Sequence, residues 1–201
     1  MRFQQGVRVH LVGISGAGLS SLASYLKEGG AQVTGSDLRR GDVWNTLEGM
    51  GIPLRLGHDP SHLDFRDGCV VASAAVPREN PEVREARKRG LEVLKFSEAL
   101  GELSGTRPTL AVAGTHGKTS TSGMLVCALR GGGQDPGYIL GGSLAGEGLL
   151  GGRVGDGRNL VVEACEYDRS FHRLRPAACA ILNVEADHFD CYPDWTSLEE
   201  S

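Results

Sequence analysis

An α/β fold in two parts follows from three features of the sequence. Short apolar runs of the kind buried in parallel sheets recur along the chain, separated by turns and stretches of helical spacing. Two of these strand–turn–helix units carry glycine-bearing turns, Gly13-Ile14-Ser15-Gly16-Ala17-Gly18 and Gly114-Thr115-His116-Gly117-Lys118-Thr119. Between them, Ser104-Gly105-Thr106-Arg107-Pro108 reads as a linker, which divides the chain into residues 1–105 and 106–201. The 30 glycines cluster between the predicted elements, which suits loops that approach phosphates closely.

In the first part, residues 7–12 alternate into a strand that stops at Gly13. The glycine turn then opens a helix whose apolar face is Leu19, Leu22, Ala23 and Leu26, ended by Gly29-Gly30. A second strand, residues 32–35, closes on Ser36-Asp37. This resembles a nucleotide-binding βαβ unit, with Asp37 placed to meet a ribose hydroxyl. The glycines run G-x-x-G-x-G, the reverse of the dinucleotide fingerprint, and helix–strand packing is their alternative use. Residues 43–49 are expected helical and 52–56 extended, with Gly57-His58-Asp59-Pro60 as a turn. Residues 68–73 form a buried strand ending in the small Ser73-Ala74-Ala75, which leaves room for a ligand at a strand carboxyl end. Asn80 caps a charged helix that begins at Pro81 and runs through Arg89. A strand at 91–94 follows, and Ser97 is expected to cap a short helix over 98–103.

In the second part, residues 109–113 form a buried parallel strand and 121–130 a helix. The turn between them points backbone N–H groups and the positive helix end at one spot, as a phosphate requires. Lys118 adds a point charge for the β/γ-phosphates, and the Thr119 hydroxyl can ligate Mg²⁺. The loop Gly114-Thr115-His116-Gly117-Lys118-Thr119-Ser120 is shorter than a full Walker A, since Val112 stands where its first glycine would be. A short strand at 138–140, a Gly-rich loop at 141–157 and a buried strand at 159–163 come next. Glu163, at the end of a core strand beside the phosphate-loop strand, fits the second protein contact of a nucleotide's Mg²⁺, or else caps a neighbouring helix. A last buried strand, 177–182, delivers Asn183 and the cluster Asp187-His188-Phe189-Asp190. His188 between carboxylates is oriented for a metal or phosphate, or is structural.

Composition excludes several classes. The net charge of −4 with interspersed signs gives no basic stripe for nucleic acid. No apolar run reaches membrane-spanning length, so no membrane partner is expected. Five cysteines without C-x-x-C spacing fit free thiols in a reducing cytoplasm.

Four ordered stretches carry a family resemblance that covers nearly the whole chain. They are residues 10–20 (His-Leu-Val-Gly-Ile-Ser-Gly-Ala-Gly-Leu-Ser), 114–119, 163–171 (Glu-Ala-Cys-Glu-Tyr-Asp-Arg-Ser-Phe) and 183–190 (Asn-Val-Glu-Ala-Asp-His-Phe-Asp). Together they resemble the successive signatures of the Mur ligases, most closely the alanine-adding branch. The resemblance implies a Rossmann-like parallel-sheet domain that binds the UDP-sugar (1–105), then a partial P-loop α/β ATP-binding domain (106–201). It also implies ATP-dependent ligation of L-alanine to the lactyl carboxylate of UDP-N-acetylmuramate through an acyl phosphate, in the bacterial cytoplasm, for peptidoglycan precursors.

Residue roles implied by the resemblance follow the motifs. Gly16, Ala17, Gly18 and Ser20 would line the UDP diphosphate and uracil, with Asp37 and Ser73 completing that pocket. The loop 114–120 would hold ATP, with Asn183 on the nucleotide side. Lys118 would stabilise the transferring phosphoryl; Thr119 and Glu163 would hold one Mg²⁺ and His188 a second. Cys165 stands where the family carries aspartate, and Tyr167 where the alanine-adding members carry serine. Glu166-Tyr167-Asp168 is more like the relative that attaches a recycled tripeptide to the same UDP-sugar. Residues 193–201 read as a helix start without a body, so an N-terminal portion lacking the amino-acid-binding domain is expected, inactive in ligation alone.

Overall fold

A computed structural model describes residues 3–165 and 171–185. Its first half is a five-stranded parallel sheet ordered β3-β2-β1-β4-β5. The strands are β1 (Arg8–Val12), β2 (Gln32–Asp37), β3 (Leu54–Leu56), β4 (Cys69–Ala72) and β5 (Glu92–Lys95). Helices α1 (Ala17–Glu28), α2 (Trp44–Gly49), α3 (Pro81–Lys88) and α4 (Phe96–Ser104) connect or follow them. Strand order reverses at β1, so the turn after it opens at the crevice where doubly wound sheets take ligands.

The second sheet is ordered β10-β6-β9-β7-β8. It contains β6 (Thr109–Ala113), β7 (Gly137–Ile139), β8 (Gly152–Arg153), β9 (Leu160–Ala164) and β10 (Ala178–Ile181), with α5 (Lys118–Gly131) after β6. Strand β6 pairs in parallel with β9 and β10, and among the described strands only β8 runs antiparallel, against β7. The α/β class and parallel sheets expected from the apolar runs are present.

Particular elements differ from expectation, each for a local reason. Strand β8 lies inside the Gly-rich loop, where a two-residue strand leaves no periodicity to read. Helix α4 begins at Phe96 rather than after Ser97, because the Glu98 carboxylate accepts from Lys95 N at 2.9 Å and closes the first turn two residues earlier. Strand β10, expected to be buried, has all four residues exposed among the described parts of the chain. The expected helix start at 193–201 lies outside the described residues.

Helix α1 joins the two sheets. Leu19, Leu22, Ala23 and Leu26 are buried and belong to one core cluster with Leu11 and Val33 of the first sheet and Ile139, Leu160 and Val162 of the second. Its other side is polar. Ser21 Oγ donates to Leu140 O at 2.7 Å and Ser24 Oγ to Gly152 O at 2.8 Å, both buried. A buried hydroxyl without an acceptor is costly, so these two bonds fix α1 against β7 and β8. The start of α1 is thereby held beside the exit of β7, and the site lies there.

Candidate functional site

The first glycine turn and, from the second, Lys118 face one cavity of about 310 Å³. Gly16, Ala17, Gly18 and Ser73 line it from the first sheet, and Lys118, Gly141 and Glu163 from the second. The turn before α1 is built by the end of β2. Gly13 N and Ile14 N both donate to Ser36 O (2.8 and 3.1 Å), and Ser15 N donates to Asp37 Oδ2 (2.9 Å). Gly16 then starts α1 with no side-chain cap, an arrangement that leaves first-turn amides for an anion to meet. A Cβ on Gly18 would come within 2.9 Å of the Phe96 ring, so helix packing also requires this glycine.

The phosphate loop rests on β6 and β10. Gly117 has φ +84°, a left-handed conformation that lets Lys118 begin α5 directly. Lys118 Nζ donates back to the carbonyls of Gly114 (2.5 Å) and Thr115 (3.1 Å), across the loop where phosphate oxygens would sit. Thr115 N donates to Asn183 O at 3.2 Å, and Glu185 N donates to Thr115 Oγ1 at 2.9 Å. The Asn183 carboxamide brackets the His116 peptide, accepting from its N–H at 2.8 Å and donating to its C=O at 3.1 Å. Asn183 thus holds the loop's main chain, while the His116 and Ser120 side chains are exposed.

Thr119 Oγ1 donates to Glu163 Oε2 at 3.0 Å, and Gly141 N donates to Glu163 Oε1 at 2.7 Å. The hydroxyl after the lysine and the carboxylate at the β9 end are thus adjacent, as parallel β6–β9 pairing (Val112 opposite Glu163) dictates. Such a hydroxyl–carboxylate oxygen pair fits Mg²⁺, which keeps waters and substrate phosphates as its other ligands. Among the described residues no group of three His, Cys, Asp or Glu side chains could hold a metal by protein ligands alone. The Gly-rich loop is pinned nearby, since Glu147 accepts from both Arg130 and Tyr138. Burial and that carboxylate push the Tyr138 hydroxyl up to about 12.

Other expected site residues stand apart. Ser20 is buried, its hydroxyl turned back onto Ala17 O at 3.0 Å, and it does not line the cavity. The Asp37 carboxylate holds Ser15 N and Arg39 N, and Asp37 does not line the cavity either. His188, Glu166, Tyr167 and Asp168 lie outside the described residues. Cys165 lines the cavity.

Sequence reasoning missed a buried cluster behind β2. Glu82, in the first turn of α3, has a fully buried side chain. It accepts from Ser36 Oγ at 2.5 Å, and its oxygens lie 3.2 Å from His58 Nδ1 and 2.6 Å from His62 Nδ1. His10 Nε2 stands 3.6 Å away, an attraction across slightly more than a hydrogen bond. Asn80 Oδ1 caps the helix by accepting from Glu82 N at 2.9 Å. Burial alone would raise the Glu82 carboxyl, but His10, Ser36 and His62 together lower it to about 2. A depressed carboxylate stabilises the fold above its unfolded pKa, and that stability is lost as pH falls toward the folded value. The shift from 4.5 to about 2 corresponds to on the order of 3 kcal/mol. Urea unfolding of the parent and Glu82→Gln from pH 5.5 to 2.5 checks this. The parent is expected to lose more stability than the variant over that range, and equal losses would contradict it.

Comparisons with known proteins bear on this arrangement. The family model described as "Mur ligase family, catalytic domain" matches residues 8–107. A UDP-N-acetylmuramate–L-alanine ligase from Halorhodospira halophila is 45% identical over 185 residues, 92% of this chain and 38% of that protein. One from Kineococcus radiotolerans is 47% identical over 187 residues, 92% of this chain and 40% of that protein. Among solved structures, the UDP-N-acetylmuramate–alanine ligase of Thermotoga maritima superposes with a TM-score of 0.88 at 26% identity, covering 96% of this chain and 45% of that one. The UDP-N-acetylmuramate:L-alanyl-γ-D-glutamyl-meso-diaminopimelate ligase of Neisseria meningitides gives 0.88 at 29% identity, covering 97% of this chain and 66% of that one. The chain spans about two-fifths of the length of the curated relatives it matches. The sequence match across most of this chain and the superposition of both sheets establish that it belongs to the Mur ligase family.

Proposed function

We propose that this chain carries the UDP-sugar and ATP sites of a ligase that joins L-alanine to the lactyl carboxylate of UDP-N-acetylmuramate, for peptidoglycan precursors in the cytoplasm. The observation that carries the reading is the single cavity between the α1 start and the phosphate loop. Residues 1–105 bind the UDP-sugar and residues 106–201 bind ATP. The diphosphate is received by the first-turn amides of α1 at Ala17 and Gly18, beside Ser73. ATP phosphates are received by the amides of the loop 114–120, where they replace the Gly114 and Thr115 carbonyls as partners of Lys118. Thr119 and Glu163 hold Mg²⁺, which when bound neutralises charge on the nucleotide phosphates. The lactyl carboxylate attacks the γ-phosphoryl group, leaving ADP and an acyl phosphate; the amine of L-alanine then displaces phosphate to give the amide. Lys118 stabilises charge on the transferring group. His188 is proposed as a further metal ligand from its motif.

A second reading, addition of a tripeptide to the same UDP-sugar, is favoured by the motif Glu166-Tyr167-Asp168 and by likeness to the Neisseria ligase. The alanine reading rests on the named relatives at 45% and 47% identity. Thermal denaturation with separate ligands tests the shared part of both. UDP-N-acetylmuramate and MgATP are each expected to raise the melting temperature of this chain, and NAD is not. Protection by NAD with no response to the UDP-sugar would overturn the assignment of the first sheet.

A further inference from the structure

The buried Glu82 cluster lies against the back of the strand that builds the first glycine turn. Ser36 belongs to both. Its main-chain oxygen takes the N–H groups of Gly13 and Ile14 at 2.8 and 3.1 Å, and its hydroxyl donates to Glu82 Oε2 at 2.5 Å. The next residue, Asp37, takes Ser15 N at 2.9 Å. Three successive amides of the turn therefore hang on two residues of β2, and the side chain of the first is anchored by Glu82. The remaining partners of that carboxylate come from other elements. His58 Nδ1 and Asp59 N (3.4 Å) belong to the segment after β3, and His62 Nδ1 to the short turn Pro60–His62. His10 lies in β1, where its Nδ1 is 2.8 Å from Thr34 Oγ1 of β2. One buried anion thus ties β1, β2, the β3 exit and the start of α3 together at the ligand end of the sheet. It touches no part of the cavity itself.

We propose that Glu82 is a positioning residue for the UDP-sugar site, fixing the end of β2 through Ser36 so that the turn at 13–15 presents the α1 amides. A fully buried charge with several donors is an expensive element if its only task is to fill space, because an apolar side chain would serve a core as well. What the carboxylate adds is direction, since each donor must meet it at one angle. The inference rests on the UDP-sugar reading of the first turn.

The test measures binding of UDP and of MgATP to the same preparation by calorimetry, for the parent, Glu82→Gln, Glu82→Asp and Ser36→Ala. Glu82→Gln keeps the shape and removes the charge; it is expected to weaken UDP binding at least tenfold. Glu82→Asp, which keeps the charge on a shorter stem, is expected to recover part of that loss. Ser36→Ala removes one donor and leaves the other partners of Glu82 in place, so it carries the test if Glu82→Gln does not fold. It is expected to weaken UDP binding several-fold. MgATP affinity should be unchanged in every folded variant, whereas general loosening of the fold would lower both. Folded variants that bind UDP as the parent does would overturn the positioning role, and so would equal losses of UDP and MgATP affinity. A parent that binds no UDP would instead sink the substrate reading on which the role depends.

Discussion

Lys118→Ala is expected to abolish the stabilisation of this chain by MgATP while leaving its response to UDP-N-acetylmuramate nearly unchanged. The described bonds of the lysine ammonium go to the Gly114 and Thr115 carbonyls of its own loop, the positions at which nucleotide phosphates would take their place. A nucleotide at one hundred times its dissociation constant stabilises a protein by about 2.7 kcal/mol, and loss of binding removes that whole response. In the proposed function the UDP-sugar response depends on the α1 start, whose preceding turn is bonded to Ser36 and Asp37 of β2. Thermal shifts with each ligand check the expectation. Equal loss of both responses would mean that the two sites are not separable.

Glu163→Gln is expected to raise the Mg²⁺ concentration needed for half of the ATP response by tenfold or more. Glutamine keeps an oxygen for Gly141 N, now bonded at 2.7 Å, but it replaces the anionic partner of the Thr119 hydroxyl with a neutral group. Hard cations bind carboxylate oxygens far better than amide oxygens in such sparse sites. The melting temperature without nucleotide should stay close to the parent value, because polar groups at strand exits contribute little to a core. A large drop in that temperature with an unchanged Mg²⁺ requirement would make Glu163 a structural cap for Gly141.

Much of the fold was legible because parallel strands announce themselves as apolar runs. The strand at 109–113 and the apolar face Leu19, Leu22, Ala23 and Leu26 stand where the sequence placed them. What short-range patterns do not carry is partnership across the chain. Asp37 is visible as an acid at a strand end, yet only the folded chain shows its carboxylate bonded to Ser15 N and Arg39 N. Ser20 belongs to a recognisable motif, but helical geometry turns its hydroxyl back onto Ala17. Glu82 looked like an ordinary acidic residue in a helix first turn. Its partners His10, Ser36, His58 and His62 are scattered through the preceding seventy-odd residues, and no periodicity links them. The available signals were a histidine inside a buried strand and two more, four residues apart, around Pro60. The meeting of Thr119 and Glu163 was the easier case, because both follow core strands that pair directly.

The proposed function requires the UDP-sugar at the α1 amides and the nucleotide at Lys118 to be bound at the same time, on either side of one cavity. Calorimetric titration of the parent with UDP-N-acetylmuramate, before and after saturation with a non-hydrolysable MgATP analogue, tests it most directly. The expected result is one equivalent of each ligand bound at the same time, with the affinity for the second changed by the presence of the first. Mutually exclusive binding, or failure of the UDP-sugar to bind in either state, would contradict the account.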